Sequence, residues 1–325
     1  MKYTDNALNI LTTLLYRGIG KAWVHKNILA TDCLESIVEK IAVKYPTATE
    51  EDFKQKRDFI EQKILALGES CDGLVALHDS KFPVYRGKVT DGDKPIALFY
   101  KGDLSLLSKN NTNIAVIGLL NPDDVTEQDE RAIVDELVKQ NVVIVSGLAK
   151  GCDEIAHRQT LQSGGLTLAI LPSPLNNIQP AANKQLAEEI VENGGLLVTE
   201  YLTTPTDQRK IISRYIERDR LQALYSDCVL LSASYAQNDQ GNDSGARHAL
   251  EKAKKYGLLQ AVIYDNIHRS NPKYDLNRQI IQEQPKPIVI QPNNMRQDIN
   301  ELLQAIKKNN QSLKYTTPAV QGGLL

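Results

Sequence analysis

Between Val142 and Leu171 the sequence runs VVIVSGLAKGCDEIAHRQTLQSGGLTLAIL, and this stretch limits the fold more than any other. Val142–Val145 is short, apolar and β-branched, the composition of a strand buried on both faces of a parallel sheet. Ser146-Gly147-Leu148-Ala149-Lys150-Gly151 follows as a loop whose two glycines permit positive φ and close approach by a ligand. A helix carrying Asp153 comes next, and the chain returns as a second apolar strand ending at Leu171. A glycine loop that feeds a helix N-terminus offers unpaired amides and the positive end of the helix dipole, and Lys150 adds charge. The loop therefore predicts a phosphate-sized anion site, with a small-residue βα turn of purely structural duty as the alternative.

The same alternation extends on both sides. Asn113–Gly118 reads as the first core strand, and Thr126 and Glu127 open an amphipathic helix through Lys139 with Ile133, Val134, Leu137 and Val138 inward. Downstream come a helix near Lys184–Glu192, strand Leu196–Thr199, helix Arg209–Leu224, strand Cys228–Ser232, helix Gly245–Tyr256 and strand Leu259–Tyr264. Ile288–Ile290 adds one more strand, and a helix covers about Met295–Lys307. Alternating βα units imply an α/β fold with a doubly wound, mostly parallel sheet covered on both faces. Ligands of such sheets bind beyond the strands' carboxyl ends, where Gly118, the Ser146–Gly151 loop, Glu200 and the Ser232–Ser244 loop are expected to converge.

Ahead of this body, residues 1 to about 77 read as a small helical domain, with Leu8, Leu11, Leu14 and Leu15 on one face. Within it, Gly18-Ile19-Gly20 matches the turn of helix-hairpin-helix modules that grip a DNA phosphate, or serves as a plain interhelix turn. His78–Tyr85 marks a boundary, Lys94–Gly102 gives an edge-type strand, and the sheet-bearing domain spans 78–308. The polar, glycine-bearing stretch 309–325 is expected to form a loose tail.

Charge and cysteine usage narrow the classes. Lys and Arg total 38 against 40 for Asp and Glu, a net charge of -2, so any polyanion site must be local. The four cysteines, Cys33, Cys71, Cys152 and Cys228, show neither CxxC pairing nor zinc-ligand spacing. No apolar leader follows a basic start, and no apolar run is long enough to span a bilayer. These features predict a cytoplasmic protein with no membrane contact and no metal.

Three side-chain constellations bear on chemistry. Asp153 and His157 lie four apart on a helix, fit either for acid–base work or for a helix-start Asp holding a packed His; Cys152 beside them points elsewhere. Lys210, Arg214 and Arg218 recur every four residues as a basic stripe, with Arg209 and Arg220 alongside. That stripe is the best polyanion site in the sequence, although Glu217 and Asp219 offer it pairing partners. Tyr201, Tyr215 and Tyr235 lie near the expected rim, suited to stacking on bases or to half-buried packing. Ser244 and Gly245 make a second anion-ready helix start, with Arg247 in its first turn.

Taken together, these residues resemble the DNA-processing protein A family, also called Smf, over about Phe82–Lys307. Phe82-Pro83 with Pro95–Gly102 resembles the family's entry segment. Ser146–Asp153 with Ala156-His157 is similar to its most specific motif, and Gly164–Leu171, Glu200-Tyr201 and Arg218-Asp219-Arg220 keep its order and spacing. The resemblance implies a Rossmann-like core that binds single-stranded DNA in a basic pocket, dimerises, and helps load a RecA-type recombinase on DNA taken up in natural transformation. It implies no catalysis and no cofactor. The residues expected to hold DNA phosphates are Gly118, Ser146, Gly147, Lys150, Gly151, Lys210, Arg214, Arg218, Arg220, Ser244, Gly245 and Arg247.

Departures from the family pattern are local. Its Gly-Ser-Arg is here Gly118-Leu119-Leu120, its Arg-Asn-Arg is Arg218-Asp219-Arg220, its Phe-Pro just upstream is Tyr215-Ile216, and its Ser-Gly-Ser-Leu survives as Ser244-Gly245-Ala246-Arg247. No winged-helix extension, and so no double-strand role, is expected after Lys307. The wider superfamily supplies the competing expectation of a nucleotide sensor. It also contains nucleotide phosphoribohydrolases, whose PGGxGTxxE-type motif has no match in this sequence.

Overall fold

The structure, a computed structural model, describes residues 1–236 and 245–316, so Ser244 lies outside the described residues. Four helices open the chain: α1 (Asp5–Thr13), α2 (Lys21–Asn27), α3 (Leu34–Lys44) and α4 (Glu50–Leu65). Thr4 and Thr49 cap α1 and α4 by accepting from the amides of Ala7 and Asp52. The strands are β1 (Gly73–Ala76), β2 (Ala97–Gly102), β3 (Asn113–Ile117), β4 (Val143–Ser146), β5 (Thr167–Ile170), β6 (Leu196–Thr199), β7 (Cys228–Leu231), β8 (Leu259–Ile263) and β9 (Ile288–Ile290). Between and after them lie α5 (Asp124–Lys139), α6 (Cys152–Gln162), α7 (Lys184–Glu192), α8 (Gln208–Leu224), α9 (Ala246–Tyr256), α10 (Asp275–Glu283) and α11 (Met295–Thr316).

All nine strands form one sheet in the order β1-β2-β6-β5-β4-β3-β7-β8-β9. The strands from β6 to β9 in that order run parallel, whereas β2 is antiparallel to both β6 and β1. Successive strand residues point to opposite faces, and both faces are apolar. Ala115, Ile117, Val143, Val145, Val229 and Leu231 pack on one side against residues of α8, α9 and α10. Ile114, Val116, Ile144, Cys228 and Leu230 pack on the other against α5, α6 and α11. From β3 the chain winds outward through β4, β5 and β6, then returns to β7 beside β3 and winds the other way. The crevice of this α/β, Rossmann-like sheet therefore opens at the carboxyl ends of β3 and β7.

The structure corrects several expectations. The stretch read as helical through about residue 77 ends in β1, and Lys2 pairs in parallel with Gly73 along that strand's outer edge. β2 is consequently interior rather than an edge. The opening helices do not enclose a core of their own: Leu8, Ile10, Ile41, Phe53 and Ile64 share one apolar cluster with Phe99, Leu148, Ala169, Leu171 and Leu197. α11 continues through Thr316, so residues 309–316 are helical where a loose tail was expected. Asn310 anchors that extension on Asp227 Oδ1 at 2.9 Å, and Asn309 on the Gly257 carbonyl at 3.2 Å. Among the described residues no helix is long and apolar enough to cross a membrane.

The Gly18-Ile19-Gly20 turn joins α1 to α2, and the Gly18 carbonyl accepts from Lys44 Nζ, which seats the turn on α3.

Candidate nucleic-acid interface

Strand ends set the site. The segment after β3 (Gly118–Asn121), the loop after β4, the segment after β7 at Tyr235 and the start of α9 at Gly245 surround a cleft of about 470 Å³. α8 closes its floor with Tyr215, Arg218, Asp219 and Gln222. Arg218 is only 5% exposed along its side chain, and Asp219 only 11%.

The Ser146–Gly151 loop has the expected shape but not a vacant anion seat. Leu148 turns through φ 61 and is buried, and Gly151 turns through φ 75 directly under the Leu119 carbonyl, where a Cβ would approach to 2.3 Å. Only glycine fits there. The loop amides face inward: Asp153 Oδ2 accepts from Gly147 N at 3.1 Å and from Ala149 N at 3.2 Å. A carboxylate from the first turn of α6 thus fills the place foreseen for a phosphate, and helix dipole and loop amides stabilise it together. Asn183 Nδ2 holds the loop from behind through the carbonyls of Leu148 and Ala149.

Arg218 lies across this arrangement. Its Nη1 would sit 1.2 Å from a Cβ at Gly147, so glycine there is required by the guanidinium itself. In the amide orientation that satisfies its surroundings, Gln222 accepts from Gly147 N (2.9 Å) and Arg218 Nη1 (2.8 Å) and donates to Asp219 Oδ1 (3.2 Å). The remaining contacts of Arg218 are loose ion pairs, Nη1 to Asp153 Oδ2 at 3.6 Å and Nε to Asp219 Oδ1 at 3.5 Å. Among the described residues its buried Nε donates no hydrogen bond. Burial, helped by the nearby Asp153 charge and opposed by Arg218, pushes the Asp219 carboxyl up to about 7. Below the floor, burial pushes the Glu130 carboxyl up to about 8, and neither of its oxygens has a hydrogen-bond partner of good geometry.

The expected site residues separate into groups. Gly118, Arg218 and Gly245 border the cleft, Gly147 lies beneath Arg218, and Lys150 is exposed on the loop. Ser146 is turned away, its hydroxyl donating to the Val116 carbonyl at 2.7 Å. The basic stripe does not converge. Lys210 is exposed, while Arg214 stacks on the Tyr201 ring at 4.1 Å and donates to the Thr203 carbonyl. Arg220 is buried on Glu200 Oε2 at 2.5 Å, and the same carboxylate meets Lys21 at 3.7 Å, which takes both Arg220 and Glu200 out of the expected rim. Arg247 borders a separate groove between α9 and α10 and donates to Glu251.

Asp153 and His157 do not touch as a pair. His157 Nδ1 bonds Thr167 Oγ1 at 2.7 Å, and because that hydroxyl donates to the Ile144 carbonyl, Nδ1 carries the proton. Burial, with Arg218 adding to it, lowers the His157 pKa to about 3, leaving a neutral packing group. Gln222 was missed in the sequence, although its place four residues after Arg218 puts it on the same helix face.

The sequence model of a family described as DNA recombination-mediator protein A matches residues 73–299. Protein Smf of Escherichia coli (strain K12) is 33% identical over 207 residues, 64% of this chain and 53% of that protein. The chain thus spans about half the length of that curated relative. The X-ray structure of DNA processing protein A from Streptococcus pneumoniae superposes with a TM-score of 0.67 at 25% identity, covering 93% of this chain and 98% of that one. A structure of DNA processing protein A from Helicobacter pylori, concerned with that protein's single-stranded DNA binding mode, gives a TM-score of 0.55 at 27% identity, covering 73% and 98%.

Proposed function

The chain belongs to the DNA recombination-mediator protein A family, and from that premise we propose that it binds single-stranded DNA across the carboxyl edge of its sheet. One observation carries the reading: an arginine, Arg218, lines an open cleft together with Tyr215 and Tyr235. Aromatic rings beside a recessed cation suit a strand whose bases are unstacked and whose backbone stays outside. The exposed cations Lys150 and Lys210 are the backbone contacts of this reading, and Arg214 joins them from its place on Tyr201. The protein acts without catalysis, as a homodimer that delivers the strand to a RecA-type recombinase; these parts rest on family membership.

Fluorescence anisotropy with labelled oligo-dT of about 16 nucleotides tests the reading. Binding at about 50 mM salt should weaken as salt rises, with a log–log slope of about −0.7 for each phosphate contacted. Absence of binding at low salt, or a flat slope, refutes it.

A further inference from the structure

Three segments frame the cleft, and one buried side chain lies under all of them. Glu130, on the inward face of α5, is fully enclosed, and its carboxyl faces the Cys152 thiol at the start of α6 and the Ser232 hydroxyl at the end of β7. Cys152 carries the contact up to the first segment: its amide donates to the Leu119 carbonyl at 3.0 Å, and its sulfur would lie 2.6 Å from a Cβ at Gly118. Ser232 N donates to the Ile117 carbonyl at 2.9 Å, which joins the end of β7 to that of β3, and Tyr235 follows on the cleft wall. Asp153, next to Cys152, holds the loop after β4 through the amides of Gly147 and Ala149. Whatever moves Cys152 and Ser232 therefore moves the border of the cleft.

Little in these surroundings suits a carboxylate. Among the described residues no cation forms an ion pair with Glu130: Arg131, beside it on α5, turns to Glu127 at 2.7 Å, and Asp129 on its other side faces His268 at 3.5 Å. From α6 come the Cys152 thiol, which burial holds in its neutral form, and the Asp153 carboxylate, whose charge opposes a second one nearby. The segment before α10 brings Tyr274, packed near Cys152 with its hydroxyl bonded to Thr126 at 2.9 Å. A neutral carboxyl can both donate and accept within this group. An ionised one is left with a hydroxyl and a thiol in place of water, a poor exchange at full burial.

Resting on the single-strand reading, we propose that Glu130 is a proton-held positioning residue: neutral, it keeps the three segments seated on one another, and its ionisation loosens the cleft border and weakens single-strand binding. Burial, which holds the carboxyl neutral up to about 8, sets the range in which this happens. A bound strand, by reciprocity, favours the protonated form. A merely structural carboxyl would lower stability on ionising without touching the affinity of the molecules that remain folded.

The test measures oligo-dT affinity by anisotropy for the full chain and for Glu130→Gln, at about pH 6.5 and about pH 9 and constant salt, with circular dichroism confirming that each stays folded. One pH unit above about 8, only about a tenth of the wild type keeps the proton. Its dissociation constant should therefore rise about 5-fold to 10-fold more than that of the variant, the upper figure being the limit in which the ionised form does not bind. Glutamine keeps a donor and an acceptor and cannot ionise, so the variant should lose this step. Titration of Asp219 or of the strand itself is common to both proteins and cancels. Equal pH profiles for the two proteins overturn the proposal while leaving the single-strand reading intact. Amide exchange supplies a readout without DNA: at about pH 9 residues 118–121 and 232–235 should exchange faster in wild type than in Glu130→Gln, and alike at about pH 6.5. Should the variant not fold, the wild type alone decides, because protection of those residues must fall between the two pH values by more than that of α3. Unchanged protection refutes the proposal. Failure of the wild type to bind at either pH removes the single-strand reading and the effect on binding together.

Discussion

Arg86 and Arg218 are buried at opposite ends of β3 and β7, and their surroundings differ in kind. At the amino ends, Arg86 is 3% exposed and fully engaged. Nε donates to Asp227 Oδ1 at 3.0 Å, Nη1 to the Tyr225 carbonyl at 2.8 Å, and Nη2 to the carbonyls of Ser108 and Asn111 at 2.9 Å each. Asp227 in turn accepts from Asn113 N and from Asn310. At the carboxyl ends, Arg218 is nearly as buried yet keeps one hydrogen bond and two loose ion pairs, and among the described residues its Nε makes no hydrogen bond. A buried charge with every donor nitrogen engaged ties strands and loops together; one with fewer bonds, beside an open cleft, is where the proposed strand contact would fall.

Removing each arginine is the most direct way to break the contrast. Arg86→Ala strands a buried Asp227 and should lower unfolding free energy by about 4 kcal/mol, read by urea denaturation. Arg218→Ala should cost no more than about 1–2 kcal/mol, because few bonds are lost and Asp219 can take up a proton. Single-strand affinity should fall with the second change in a protein that is still folded. Equal stability losses from the two would erase the distinction.

A smaller effect separates the two ends by pH. The folded protein keeps a proton on Glu130, below the cleft, that the unfolded chain releases near its ordinary 4.5. The stability this provides is complete below 4.5 and is lost as pH rises through about 8. Glu130→Gln removes the titration, so between about pH 5 and pH 9 the wild type should lose on the order of 3 kcal/mol more than the variant. Parallel stability curves for the two proteins would contradict the burial of that carboxyl.

The smallest expected change lies on the surface. Lys150→Ala should leave stability untouched and reduce the salt slope of oligo-dT binding by about 0.7, the signature of one lost phosphate contact. Arg218→Ala should weaken binding without altering the slope, since its charge is already compensated inside the protein. A slope change for Arg218 would return it to the phosphate role that its spacing suggested.

The sequence made the alternation of strands and helices legible because strands buried on both faces must be short apolar runs, as Leu196–Thr199 and Cys228–Leu231 are. β1 was hidden by its four-residue length at the end of a helical pattern, and α10 by the Pro272-led turn before it. Within the site, the glycine loop was legible and its occupant was not. Spacing places Asp153 in the first turn of α6, but only the backbone path through Leu148 brings two amides onto its oxygen. The four-residue recurrence of Lys210, Arg214 and Arg218 was equally plain. Its reading failed on depth, because α8 starts in solvent and is buried from Arg218 onward, so one stripe passes from exposed to buried.

The apolar cluster shared by the opening helices and the sheet has a consequence for how the molecule comes apart. Phe53 and Ile64 on one side and Phe99 and Leu171 on the other are fully enclosed only in each other's company. A protease cut in the proline-bearing connection between β1 and β2 would therefore leave two fragments that stay together, and heating would melt helices and sheet in a single cooperative step.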